Sequence, residues 1–385
     1  MTSSRQLADD RPAVGKPDAL TPEALADARR NQPRRALVGL AFVLPVAALL
    51  AVGAGGPARS LEVLGPPVTF ALPIVAMIAF WWEDWPGSLL RGGWSGLSDT
   101  ALVVAGGAAL TLLGRAVTGT AAVPLAAGIF TLMLQLTLVG EGWPLRGRGT
   151  HWPGVAALAV CWVAGLAVYL GLVRTGLVPG EDYGAWFAVL GAWQMVWYVA
   201  LRGWPFARIR RRAVRLAMAH SAVLACAAIT YAPAPPDRLA PVSGAAIASV
   251  LVVAMLFEAW PAIRLTPLPG RSLVLVLVAV LTAVLAAGLP LLARWAGVPE
   301  SLVAGWTTHT TLNALSLAVI LHVAVWRRWR PALAQSRDAA VASSSVIFCS
   351  SSAAASPSAS RSARVVSGVS TAWVFTGRPR RLRDG

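Results

Sequence analysis

The chain is poor in charge. Only 13% of its 385 residues are Asp, Glu, Lys or Arg, against 56% hydrophobic, and the mean hydropathy is +0.63. Soluble domains carry roughly a quarter of their residues charged, so water is excluded as the main solvent. Lysine is nearly missing, with Lys16 the single example among 33 basic residues, a skew that reads as a GC-rich genome. The three cysteines, Cys161, Cys226 and Cys349, form no motif. The first two sit in apolar runs, where a thiol behaves as a small hydrophobe, and they fix no redox compartment.

The chain also lacks a Gly-rich phosphate loop with lysine, HExxH, CxxC and GxSxG. No soluble stretch is long enough to carry a cofactor, so none is expected, and enzyme chemistry is confined to the membrane or its surface. A net charge of +16 would suggest nucleic acid in a soluble protein. Here basic groups at membrane flanks account for it, and no nucleic-acid partner is expected.

The charged residues separate apolar runs at about 36–53, 66–82, 100–117, 121–140, 153–173, 184–201, 213–232, 242–260, 272–293 and 302–326. Each approaches the roughly 20 residues that cross about 30 Å of hydrocarbon as a helix. Barrel strands would instead be segments of about 10 alternating residues. The expected fold is therefore all-α and polytopic, with about ten transmembrane helices over 36–331. The first run follows Arg29, Arg30, Arg34 and Arg35 and reads as a signal anchor rather than a cleaved signal peptide. Residues 1–35 read as a mostly disordered cytoplasmic segment. Residues 332–385, rich in Ser, Ala and Arg, read as a disordered tail, although their abrupt onset also fits a shifted reading frame.

Arginines fix an orientation. Fourteen lie at the exits of the even-numbered runs, among them Arg208, Arg210, Arg211 and Arg212. The opposite side has one per loop: Arg59, Arg115, Arg174, Arg238 and Arg294. The positive-inside rule then places both termini in the cytoplasm, in the plasma (inner) membrane. The Arg208 to Arg212 cluster would favour anionic lipid headgroups.

A motif recurs where even runs end: Glu83-Asp84-Trp85-Pro86, Glu141-Gly142-Trp143-Pro144, Arg202-Gly203-Trp204-Pro205 and Glu258-Ala259-Trp260-Pro261. The tryptophans are 58, 61 and 56 residues apart, one pair of runs plus loops. A degenerate fifth copy, Arg327-Arg328-Trp329-Arg330-Pro331, follows 69 residues later. Two runs per unit keep every copy in one orientation, which implies five tandem parallel two-helix repeats. Tryptophan anchors at headgroups and proline stops a helix, so the motif is first an interface anchor. Glu83, Glu141 and Glu258 could instead form an acidic ring that selects cations, or pair with basic groups between repeats.

The most polar intramembrane stretch is in the tenth run, where Gly305, His309, Asn313 and Ser316 share one face of an α-helix and Thr308 adjoins them. Such groups mark a substrate pathway or serve as interhelical hydrogen-bond glue. Gln135 and Gln194 are further intramembrane polar groups, but no carboxylate lies near the centre of any run. His220 and His322 lie near the same face of the membrane and are weak metal candidates. The expected function is a permease or channel-like protein for a small solute or lipid. The alternatives are a structural or assembly subunit of a membrane complex and, more weakly, a membrane-embedded metal or haem enzyme.

The orientation is testable by fusion reporters. Alkaline phosphatase joined after Arg59 or Arg174 should be active and after Arg211 inactive; the reverse pattern would overturn the assignment.

Overall fold

The computed structural model describes residues 32–326 apart from 83–84, 91–92, 120–121 and 146–150. Glu83, the fifth copy of the Trp-Pro motif, residues 1–31 and the tail lie outside the described residues.

Among the described residues the chain is all-helical, in ten rods without a strand. They are α1 (Gln32–Val52), α2 (Pro57–Phe80), α3 (Gly93–Thr118), α4 (Ala122–Leu134 continued by Gln135–Val139), α5 (Trp152–Arg174), α6 (Gly180–Met195 continued by Val196–Ala200), α7 (Arg212–Tyr231), α8 (Pro236–Leu256), α9 (Pro267–Trp295) and α10 (Glu300–Trp326). Eight are long and apolar enough to cross a membrane; α4 is too short by that measure, and α6 is not among them. The first helix begins at Gln32, four residues before the apolar run, and buries Gln32, whose amide donates to the Leu256 carbonyl at 3.3 Å.

Even-numbered rods occupy the middle. In α2, α8 and α10 the apolar window is 72%, 67% and 67% buried, whereas in α1, α3, α5, α7 and α9 it is 11–28% buried. α2 packs on α4, α4 on α6, α6 on α8, α8 on α10, and α10 back on α2, so the central rods close into a ring. The peripheral rods lie outside it and reach back to the preceding hairpin: α5 touches α4 and α2, α7 touches α6 and the end of α4, and α9 touches α8 and the end of α6.

The small residues of the peripheral rods explain how they sit. Each buries one narrow stripe at helical spacing, such as Gly39, Val43, Ala47 and Ala51 in α1 or Gly270, Val274 and Val278 in α9. A stripe repeating every four residues lies on one helix face, and small residues let backbones approach without a hydrophobic drive between helices. Gly107 in α3 shows the closeness: a Cβ there would stand 2.7 Å from the Pro67 carbonyl oxygen. The other faces expose Val38, Val104, Leu112, Val163 and Ile229, each at least 65% accessible. Such an apolar skin is suited to hydrocarbon.

The Trp-Pro ends share one construction. Trp82, Gly140, Leu201 and Phe257 donate their N–H groups to Met77, Gln135, Val196 and Val252, five residues back, at 2.8–2.9 Å. In α4, α6 and α8 this widens the last turn from α to π, while α2 stays α-helical to Phe80. Trp85, Trp143, Trp204 and Trp260 then each donate to the carbonyl three residues back, and each precedes a cis proline. Glu141, Arg202 and Glu258 hold φ of 52–54°, a left-handed conformation that reverses the chain and is typical beyond helix C-termini. The N–H groups of Gly142, Gly203 and Ala259 close this turn onto Leu136, Trp197 and Val253.

Gly107→Val should lower thermal stability in detergent by roughly 1–3 kcal/mol, the range for overpacking. An unchanged melting temperature would contradict the close α2–α3 contact.

Candidate functional site

The polar groups inside the ring come from the central rods, whose remaining residues fill it with Leu72, Phe130, Phe187, Ile247 and Leu312. Gln194 is fully buried and its amide donates to the Thr131 carbonyl at 3.3 Å and to the side-chain oxygen of Gln135. The Thr131 hydroxyl donates to the Phe187 carbonyl at 3.1 Å, tying α4 to α6 a second time. Further towards the Trp-Pro end, Trp81 of α2 donates its indole N–H to the Thr137 hydroxyl of α4 at 2.9 Å.

On α10, the α-helical face expected from spacing is altered by a π-helical stretch, His309–Leu315. Gly305, one α-helical turn before this stretch, is exposed, whereas His309, Asn313 and Ser316 are buried. Ser316 donates to the Thr311 carbonyl five residues back at 3.0 Å. Thr308 is half-buried and donates to Ala304 within its own helix.

Both nitrogens of His309 are engaged. Nε2 lies 3.2 Å from the Leu50 carbonyl oxygen and Nδ1 lies 3.4 Å from the Asn313 amide nitrogen. The neutral tautomer with hydrogen on Nε2 satisfies both, donating to the carbonyl and accepting from the amide. One turn earlier, the Trp306 indole donates to the Ala51 carbonyl at 3.0 Å. Leu50 and Ala51 belong to the last turn of α1, whose carbonyls have no intrahelical partner. His309 and Trp306 are thus side-chain caps for another helix.

Asn313 is placed differently. Its Oδ1 has no hydrogen-bond partner among the described residues, and Asn313 lines a cavity of about 10 Å³ together with Thr69, Thr131 and Gly191. About 10–15 Å³ by this measure accommodates one water molecule, so this cavity is too small to hold a solute. Thr307 Oγ1, Thr310 Oγ1 and Gln194 Oε1 are also buried without a partner among the described residues. Their chemistry is uncharged: amides and hydroxyls that can donate or accept, with neither a carboxylate nor a cationic group in the cavity wall.

No protein-family model, curated protein or solved structure matches this chain. The site therefore has to be read from its own geometry.

At the Trp-Pro side Glu141 is held in an ion pair, while Glu83 lies outside the described residues. Glu141 receives Arg215 through two hydrogen bonds, 2.6 and 3.0 Å, with Arg212 at 3.3 Å. The carboxylate at the end of α4 thus pairs with the start of α7. Two indoles at this end lie under guanidinium groups, Trp204 under Arg271 of α9 at 5.1 Å and Trp260 under Arg264 of its own following turn at 5.8 Å. Trp143 is exposed, and Trp85 lies against Trp82 and His151.

The structure does not show His220 and His322 sharing a site. His220 on α7 bonds back to Leu216 at 2.8 Å, while His322 on α10 lies 5.4 Å from the Phe42 ring of α1. Among the described residues no three metal-binding side chains cluster. Sequence reading had not singled out Thr69 and Thr131, and their only sequence signal is a hydroxyl in a central run.

The Gln135–Gln194 pair gives a double-mutant test. Gln194→Leu or Gln135→Leu alone strands its partner and should cost roughly 1 kcal/mol, near typical intramembrane hydrogen-bond energies. The double variant should cost less than the sum; additive losses in denaturant unfolding would show that the pair does not interact.

Proposed function

We propose that the chain is a ten-span plasma-membrane protein built as five tandem hairpins, with both termini in the cytoplasm. We further propose that it acts as a permease for a small uncharged polar solute and is closed in the conformation described here. The observation that carries this reading is the buried Asn313 oxygen beside the interior cavity, which has no hydrogen-bond partner among the described residues. Intramembrane polar groups used only as glue are expected to find partners, because an unpaired polar atom costs roughly 1–3 kcal/mol. A solute that hydrogen-bonds Asn313, Thr69 and Thr131 would recover that cost. Only a conformation with more room than about 10 Å³ could pass it, so the proposal requires alternation between closed and open states. The ten-span count is supported by the match between apolar runs and rods, including α4 and α6. The tandem origin is supported by the common construction of the Trp-Pro ends.

A structural or assembly subunit is the second reading. The tightly filled ring and the capping role of His309 favour it. The exposed Arg208, Arg210 and Arg211 would then hold anionic headgroups or a partner on the cytoplasmic face. Among the described residues neither His220 nor His322 belongs to a cluster of three metal-binding side chains.

Uptake of small neutral solutes into proteoliposomes separates the two readings. Asn313→Leu should reduce the flux of a transported solute at least tenfold without loss of folded protein. His309→Ala should reduce both flux and stability, as a cap would. Equal flux through wild type and Asn313→Leu for every solute that moves would remove the site, and no flux of any solute would leave the structural reading.

A further inference from the structure

We propose that the interior site is reached through a groove between the start of α2 and the start of α10, and that Leu61 is the side chain that shuts it. This rests on the permease reading of the interior. The groove is an open concavity of about 790 Å³ lined by Ala58, Arg59, Leu61, Glu62, Val63 and Leu302. It is at the end of the ring away from the Trp-Pro motifs, the side the arginine count assigns to the outside.

Leu61 is half-buried at the inner edge of this groove. Two glycines make the seam beneath it narrow. A Cβ at Gly305 would stand 3.3 Å from Leu61 Cδ2, and a Cβ at Gly65 would stand 3.8 Å from Leu61 Cδ1 and 4.0 Å from His309 Nδ1. The sequence of neighbours from the groove inward is therefore Leu61, Gly65, the Nδ1 edge of His309, and Asn313, which bonds that edge and lines the interior cavity. Among the described residues, Leu61 stands between this groove and the polar interior, with Gly65 and His309 beneath it. A leucine can leave such a position by a rotamer change, without moving a helix.

The mouth also specifies the class of solute. Arg59 and Glu62 are exposed three residues apart on α2 and carry opposite charges. Their fields largely cancel at a distance, so the groove concentrates neither anions nor cations. Behind Leu61 the available groups are neutral donors and acceptors. A small neutral solute with a donor and an acceptor fits both stages, whereas an ion would lose its hydration with no opposite charge to replace it.

The test uses the full-length protein with Cys161, Cys226 and Cys349 replaced by alanine. Gly65→Cys then places one thiol between Leu61 and His309, where a Cβ meets only ordinary contact distances. Its rate of modification by methyl methanethiosulfonate, a small neutral reagent, is measured with and without Leu61→Ala. The rate should rise at least tenfold when Leu61 is shortened. Equal rates in the two backgrounds, whether both fast or both absent, would overturn the gate. Should the Gly65→Cys protein not be recovered folded, Asn313→Cys reports the same pair of rates, read in the same way. Accelerated labelling in a protein without solute flux would keep the gate and remove the permease. Flux that depends on Asn313, with labelling indifferent to Leu61, would do the opposite.

Discussion

A helix inside hydrocarbon must find partners for its terminal carbonyls without help from water, and much of this architecture follows from how that demand is met. At the Trp-Pro ends the chain meets it locally. A widened final turn and a left-handed residue return N–H groups to carbonyls five and six residues back. At the end of α1 it is met from a distance, by Trp306 and His309 of α10. These two caps join the first and last described helices and hold α10 in the ring. His309 is thus first a structural element of closure, and the polar interior is organised around the orientation it gives Asn313.

The division between central and peripheral rods has a related cause. Polar side chains that need partners inside the bilayer, such as Gln135, Gln194 and Asn313, are found on central rods. There, neighbouring backbones and side chains surround them. The peripheral rods carry small residues on one stripe and aliphatic residues elsewhere, so they can seal the ring on one face and meet hydrocarbon on the others. Peripheral rods also carry Gln32 and Asp99, bonded to groups outside their own helices, and the half-buried His220. His220 is accommodated by bonding to the carbonyl one turn back on its own helix.

Much of this was legible in the sequence. Every apolar run falls on a rod, and the Trp-Pro motif marks helix ends built to one plan, because composition and proline chemistry act locally. The alternation of central and peripheral rods was also written there, in the confinement of Gln135, Gln194, His309 and Asn313 to even runs, but it needs the ring to give it meaning. The face expected on α10 was only partly right. A π-helical stretch from His309 onward is a backbone adjustment that no spacing rule for an α-helix registers, and Gly305, which precedes it, is exposed rather than buried. The partners of His309 were not legible at all. Leu50 and Ala51 offer only main-chain oxygens, which have no signature in the side-chain code. Thr69 and Thr131 were passed over because a threonine in an apolar run commonly bonds its own helix, as Thr69 does to Gly65.

The backward reach of the peripheral rods bears on biosynthesis. Each new hairpin brings a first helix that rests on the hairpin already made, so the order of translation is also an order of assembly. Chain ends are the exception. The carbonyls at the end of α1 acquire their caps only when α10 arrives more than 250 residues later. The last described hairpin is therefore the keystone: the ring of central rods cannot close, nor the end of α1 gain its caps, before that hairpin is made.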